Sequence, residues 1–212
     1  RPECRDALQE GIRKLNLSPE DTDVFLTHLH SDHTGNAGRL QQLGYKILMG
    51  ESEYRFMKSN NWRGHMDRAL LEGFHREELD TVFVHNPAMI YAPDPFVPET
   101  IREGQILRYA GRELECILTP GHTIGGMCFY FPKAGILFSG DTLFQESVGR
   151  TDFPGGDDLE MYKSLRRLSQ PPRHLLQDCS ARRAHVLSVV EPILLSPTSS
   201  ATTAIRGPTT DA

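Results

Sequence analysis

A chain of 212 residues, 38% hydrophobic and 24% charged, is long enough to bury one substantial core and points to a single domain. Its net charge of −5 lacks the basic excess that a phosphate backbone demands, so nucleic acid is not an expected partner. No apolar run approaches the ~18 residues that span a bilayer, and Cys4, Cys116, Cys128 and Cys179 form no close pair; the expectation is a cytoplasmic protein with reduced thiols, without membrane, structural zinc or a disulfide framework.

In chain order, Cys4, Leu8, Ile12 and Leu15 recur every three or four residues, which predicts an amphipathic helix over residues 1–17. The run DVFLT (residues 23–27) is short, apolar and β-branched, and reads as a buried strand that ends where a group of histidines begins. A helical pattern follows from Asn36 to Leu43, Gly44 stops it, and YKILM (45–49) makes a second strand, so the layers alternate as in an α/β domain. Helix formers dominate residues 51–79, with Met66, Leu70 and Phe74 on one face of the second of two helices. The proline-rich HNPAMIYAPDPFVPE (85–99) cannot sustain a helix and is either a lid over a site or a plain surface connection. Two β-rich segments flank Gly111 as a hairpin, 127–131 and 135–139 form another strand pair, and a last helix covers 157–168. The expected organisation is one domain over residues 1–170, with a helical and proline-rich insertion at about 51–100, and an atypical, disordered tail over 171–212.

The segment THLHSDHTGN (27–36) places His28, His30, Asp32 and His33 within six residues, directly after a buried strand. Alternate side chains of an extended segment share a face, so His28 and His30 can reach one ion, while the turn into the next helix redirects Asp32 and His33 toward another. Two further segments, TPGHTIGG (119–126) and SGDT (139–142), each put one ligand-type residue at a strand end: His122 and Asp141. Imidazole and carboxylate suit zinc and also iron or manganese, so the donors define the type of site better than the metal.

In this order the three segments resemble the metallo-β-lactamase superfamily over residues 21–156 or so. The resemblance implies an αββα sandwich with a two-metal site at one edge of its sheets: His28, His30 and His122 on the first ion, Asp32 and His33 on the second, Asp141 bridging them, and two divalent ions, zinc foremost, as cofactor. The aspartate at 141, where serine or cysteine is common in true β-lactamases, turns the reading away from antibiotic hydrolysis, and Leu29 stands where the iron-dependent reductases of the superfamily carry an acidic residue. GRTDFPGG (149–156) is similar to the hydroxyacylglutathione hydrolases, the glyoxalase II group, which implies a small thioester substrate. Arg150 is then either a two-pronged clamp for a substrate carboxylate or a structural partner of Asp152 or a loop carbonyl. Asp32 is the expected acceptor of the proton from the attacking water. A mononuclear iron persulfide dioxygenase using His28, His122 and Asp141, a lactone or phosphodiester hydrolase, and an inactive remnant are the alternatives.

Two family features do not occur in the sequence: a strand pair ending in a DTG-like turn ahead of the first helix, and a second PGH after the bridging aspartate, for which His174 and His185 are the only candidates. The expected sandwich therefore lacks its first strands and its usual C-terminal segment, and the tail from about Pro171 is expected to be foreign to the fold, as a frameshift, gene-model error or degraded gene would leave it. His65, His75 and His85 read as ordinary surface histidines.

Overall fold

A computed structural model describes residues 2–59, 95–109, 111–144, 146–170, 185–187 and 193–195. The second helix expected before residue 79, most of the proline-rich stretch, and His65, His75, His85 and His174 lie outside the described residues.

Strand β1 (Asp23–Leu26) is central to the first sheet. It pairs in parallel with β2 (Lys46–Gly50), which pairs in parallel with β3 (Glu99–Ile101). The second sheet contains β4 (Ile106–Tyr109), β5 (Arg112–Leu118), β6 (Met127–Phe131) and β7 (Ile136–Phe138), each antiparallel to the next. Side chains alternate across a strand, and here both faces are apolar. Phe25 and Leu48 point between the sheets and pack with Leu114, Phe129, Phe131 and Phe138. Val24, Leu26, Ile47 and Met49 point outward, where Leu8 of α1 (Pro2–Lys14) and Leu40 of α3 (Ala37–Gln42) cover them. On the other side Ile117, Cys128 and Leu137 meet Leu168 of α5 (Asp158–Ser169), a helix whose first turn is capped by Asp157 accepting from the amide of Glu160 at 2.8 Å. The layers run helix, sheet, sheet, helix, the αββα order that the family resemblance implied. Two short helices complete the site side: α2 (Ser31–Thr34) and α4 (Glu51–Ser59).

Four details correct the sequence reading. Leu15 lies past the end of α1 and is 45% exposed, so the buried stripe stops at Ile12. The end of the proline-rich stretch joins the first sheet as β3, because the residues after Pro98 are free to pair and Ile101 finds the core. The tail is not wholly disordered: β8 (His185–Leu187) pairs in parallel with β7, and β9 (Ile193–Leu195) pairs antiparallel with β1. These two triplets, HVL and ILL, satisfy the amides and carbonyls of otherwise open sheet edges, a gain that the polar composition of the whole tail conceals. His185 pairs with Ile136, the end of β7 away from Asp141, so the backbone does not bring this candidate to the histidine cluster.

Candidate metal centre

The ligand-type residues come from the ends of strands, where the chain leaves the ladder and turns. β1 ends at Leu26 and delivers Thr27, His28, Leu29 and His30 in succession; α2 then carries Asp32 and His33. The loop after β5 carries His122, and the tight turn Gly140–Thr142 after β7 carries Asp141. Gly140 holds φ +51°, and a Cβ there would lie 2.7 Å from the Thr27 side chain, so a larger residue would separate the Asp141 turn from the His28 strand.

These segments bring five side chains to one place. One donor atom from each of His28, His30 and His122 falls within 4.8 Å of the others, and the same holds for His28, His33 and Asp141. His122 Nε2 and His30 Nδ1 face each other at 2.9 Å, while Asp141 reaches His33 Nε2 at 3.3 Å and His122 Nε2 at 3.5 Å. Asp32 sits at the margin: its side chain is 48% exposed and its carboxylate lies 3.6 Å from His33 Nε2. Arg150 is on the rim, its guanidinium engaged by both carboxylate oxygens of Asp152 and stacked 4.0 Å from the Phe153 ring centroid. That pairing is the structural alternative foreseen for Arg150.

Electrostatics favour the protonation states that bind cations. Burial, followed by neighbouring His33, His30 and His122, pushes the His28 imidazole well below its ordinary pKa, so it stays neutral. Burial works to raise the Asp141 carboxyl, but His33, with lesser contributions from His122 and His30, holds it below the usual carboxylate range and ionised. The decisive test of fit is Nε2 of His28, which is shielded from solvent and makes no hydrogen bond, beside Nε2 of His33, which faces the carboxylates of Asp141 and Asp32 at 3.3 and 3.6 Å. Their other nitrogens are occupied, since Nδ1 of each lies within reach of the Thr27 hydroxyl, at 3.1 and 3.4 Å. His122 likewise donates from Nδ1 to the Arg150 carbonyl at 2.6 Å, which turns its Nε2 toward the cluster. The residues present therefore fit a cation.

Thr27, the Arg150 carbonyl and Glu53 were not singled out by the sequence. The position of Thr27 directly before His28 is a usable signal for an orienting hydroxyl; the other two have none, because a backbone carbonyl is anonymous and Glu53 comes from a separate, later helix.

Comparison with known proteins agrees with this architecture. The metallo-beta-lactamase superfamily model matches residues 6–176. A hydroxyacylglutathione hydrolase GloC of Haemophilus influenzae is 33% identical over 164 residues, covering 76% of this chain and 67% of that protein. A hydroxyacylglutathione hydrolase of Chelativorans is 39% identical over 174 residues, covering 82% and 52%. An uncharacterized protein of Aquifex aeolicus is 33% identical over 158 residues, covering 74% and 65%. The chain thus spans between half and two thirds of the length of these relatives. Among solved structures, TTHA1623 in a di-iron-bound form superposes with a TM-score of 0.58 at 28% identity, covering 81% of this chain and 73% of that one. A metallo-beta-lactamase family protein of Thermus thermophilus gives 0.63 at 27% identity, covering 78% and 57%. With four histidines and an aspartate converging at the sheet edge of an αββα sandwich, the chain belongs to the metallo-β-lactamase superfamily.

Proposed function

We propose that this chain is a metal-dependent hydrolase that cleaves a small thioester of the hydroxyacylglutathione kind. The observation that carries the reading is the buried, unpartnered Nε2 of His28, converging with His30, His33, His122 and Asp141 in a chain similar to proteins named hydroxyacylglutathione hydrolases. His28, His30 and His122 would hold one divalent ion; Asp32 and His33 would hold another, with Asp141 shared. Such ions, zinc or the iron seen in a related structure, supply Lewis acidity toward a carbonyl oxygen and bring the pKa of a bound water to about 7.

The chain's own residues do the rest. Thr27 and the Arg150 carbonyl fix the imidazole orientations, so each ring offers Nε2 inward. Asp32, half-exposed beside His33, accepts the proton of the attacking water and passes it to solvent. A departing thiolate is stable near neutral pH and needs no dedicated acid, which suits a site whose other carboxylate, Asp141, is held ionised. Arg150 offers a carboxylate clamp only when its guanidinium leaves Asp152, so Asp152 competes with substrate for it.

The test is a hydrolysis panel of thioesters, lactones and phosphodiesters on zinc-, iron- and manganese-loaded protein, with oxygen uptake followed in parallel on a glutathione persulfide. Thioester turnover dependent on added metal is the expected result. Lactone or phosphodiester turnover would move the substrate class, and oxygen uptake with iron would replace the hydrolase by a dioxygenase.

A further inference from the structure

Outside the histidine cluster, one fully buried carboxylate ties the cluster's two halves together. Glu53 lies in the first turn of α4 with no solvent exposure. Its Oε1 accepts from the amide of Leu29 at 2.8 Å, and its Oε2 accepts from the amide of Gly125 at 2.7 Å. Leu29 stands between His28 and His30, and Gly125 follows His122 by three residues. The two oxygens of one side chain thus hold, from a third element, the two loops that supply the three-histidine group.

The packing around this contact is equally specific. A Cβ at Gly125 would fall 2.3 Å from the backbone nitrogen of Glu53, and a Cβ at Gly50 would fall 2.9 Å from the Gly125 carbonyl. The backbone of the His122 loop therefore lies directly against the start of α4, at a distance that only glycine permits. Burial pushes the Glu53 carboxyl up to about 7, against the opposing pull of the hydrogen bonds it accepts. Burying a carboxylate is unfavourable, and replacing it by glutamine would keep the shape while leaving one acceptor for two donors.

We propose that Glu53 is a positioning residue for the metal centre: its carboxylate sets the separation between the His28–His30 segment and the His122 loop, and through it the affinity of the three-histidine site. Groups that orient metal ligands without touching the metal govern affinity by about 10–100-fold, which sets the scale expected here. The inference rests on the metal-site reading above.

The experiment compares parent protein, Glu53→Gln and Glu53→Asp for zinc affinity by competition with a chromophoric chelator. It adds the visible spectrum of cobalt-substituted protein and the thermal midpoint of the metal-free form. Glu53→Gln is expected to weaken zinc binding by about tenfold or more and to shift the cobalt bands, because the trio no longer closes on one point. Zinc affinity within twofold of parent with an unchanged cobalt spectrum overturns the inference, even where the metal-free midpoint falls, since that pattern is a purely structural role. If the glutamine variant does not fold, Glu53→Asp decides on the same readouts: its stem is one methylene too short to reach both amides, so parent-like affinity overturns the inference. Parent protein that takes up no zinc overturns the metal-site reading and the inference together, whereas a zinc-binding parent with indistinguishable variants overturns the inference alone.

Discussion

The carbonyl oxygen of Arg150 receives the Nδ1 proton of His122 at 2.6 Å, while the Arg150 side chain turns away to Asp152 and Phe153. Main chain and side chain of one residue thus face two different tasks. Removing the guanidinium should leave the orientation of His122 alone. Arg150→Ala is expected to keep parent metal content and to raise the KM of a carboxylate-bearing thioester severalfold, with little change for an uncharged one. Equal KM values on both substrates would assign the side chain to its pairing with Asp152.

The two ligand groups are unequal. Both contain His28, whose single free Nε2 serves one ion at a time; with His28 in the three-histidine group, the other retains His33, Asp141 and the half-exposed Asp32. Loss of one imidazole donor leaves an ion exchangeable. After dialysis the protein should hold closer to one ion than two, with hydrolysis rising as metal is added. His185→Ala should leave that stoichiometry unaltered, because its register places it beside Ile136; a drop would show that the tail completes the second site.

Much of this was legible in the sequence, for a local reason. The candidate ligands sit in three short segments at strand ends, and a strand followed by glycine and a ligand-type residue writes its geometry into a few adjacent positions. The alternation of Val24, Phe25 and Leu26 with both faces apolar likewise announces a strand covered on both sides. Glu53 could not be found that way. An acidic residue in the first turn of an amphipathic helix is what the helix dipole favours on any surface, and its burial is decided by Gly125, 72 residues away. The strands β8 and β9 escaped for the opposite reason: three residues carry too little pattern, and only the open edges of β7 and β1 make them strands.

Cys116 and Cys128 are buried, and burial pushes their thiols up to about 12 and about 11. Both stay protonated through neutral pH. At pH 8 thiols of pKa 11 and 12 are about 0.1% and 0.01% thiolate against about a quarter for a free thiol, so alkylation of these positions in the native protein should run at least about a hundredfold slower than in the unfolded chain. Peptide mapping after brief iodoacetamide treatment reads this directly; prompt modification of either would contradict their burial.

Phe25 sits between the sheets with Tyr109 and Phe129 edge-on at 5.5 and 5.1 Å. Phe25→Ala opens a cavity at the centre of the sandwich and should cost about 3–5 kcal/mol in chemical denaturation. A loss under about 1 kcal/mol would mean that the two sheets do not share this core.

The central claim is that His28, His30, His33, His122 and Asp141 form a cation site. Its most direct measurement is the bound metal of zinc-loaded parent, His28→Ala and His122→Ala after gel filtration, read by elemental analysis alongside circular dichroism. The account predicts a zinc-bearing parent and two folded variants that have each lost most of it, since every missing ligand leaves an ion that the remaining donors hold poorly. Parent-level zinc in both folded variants would contradict it.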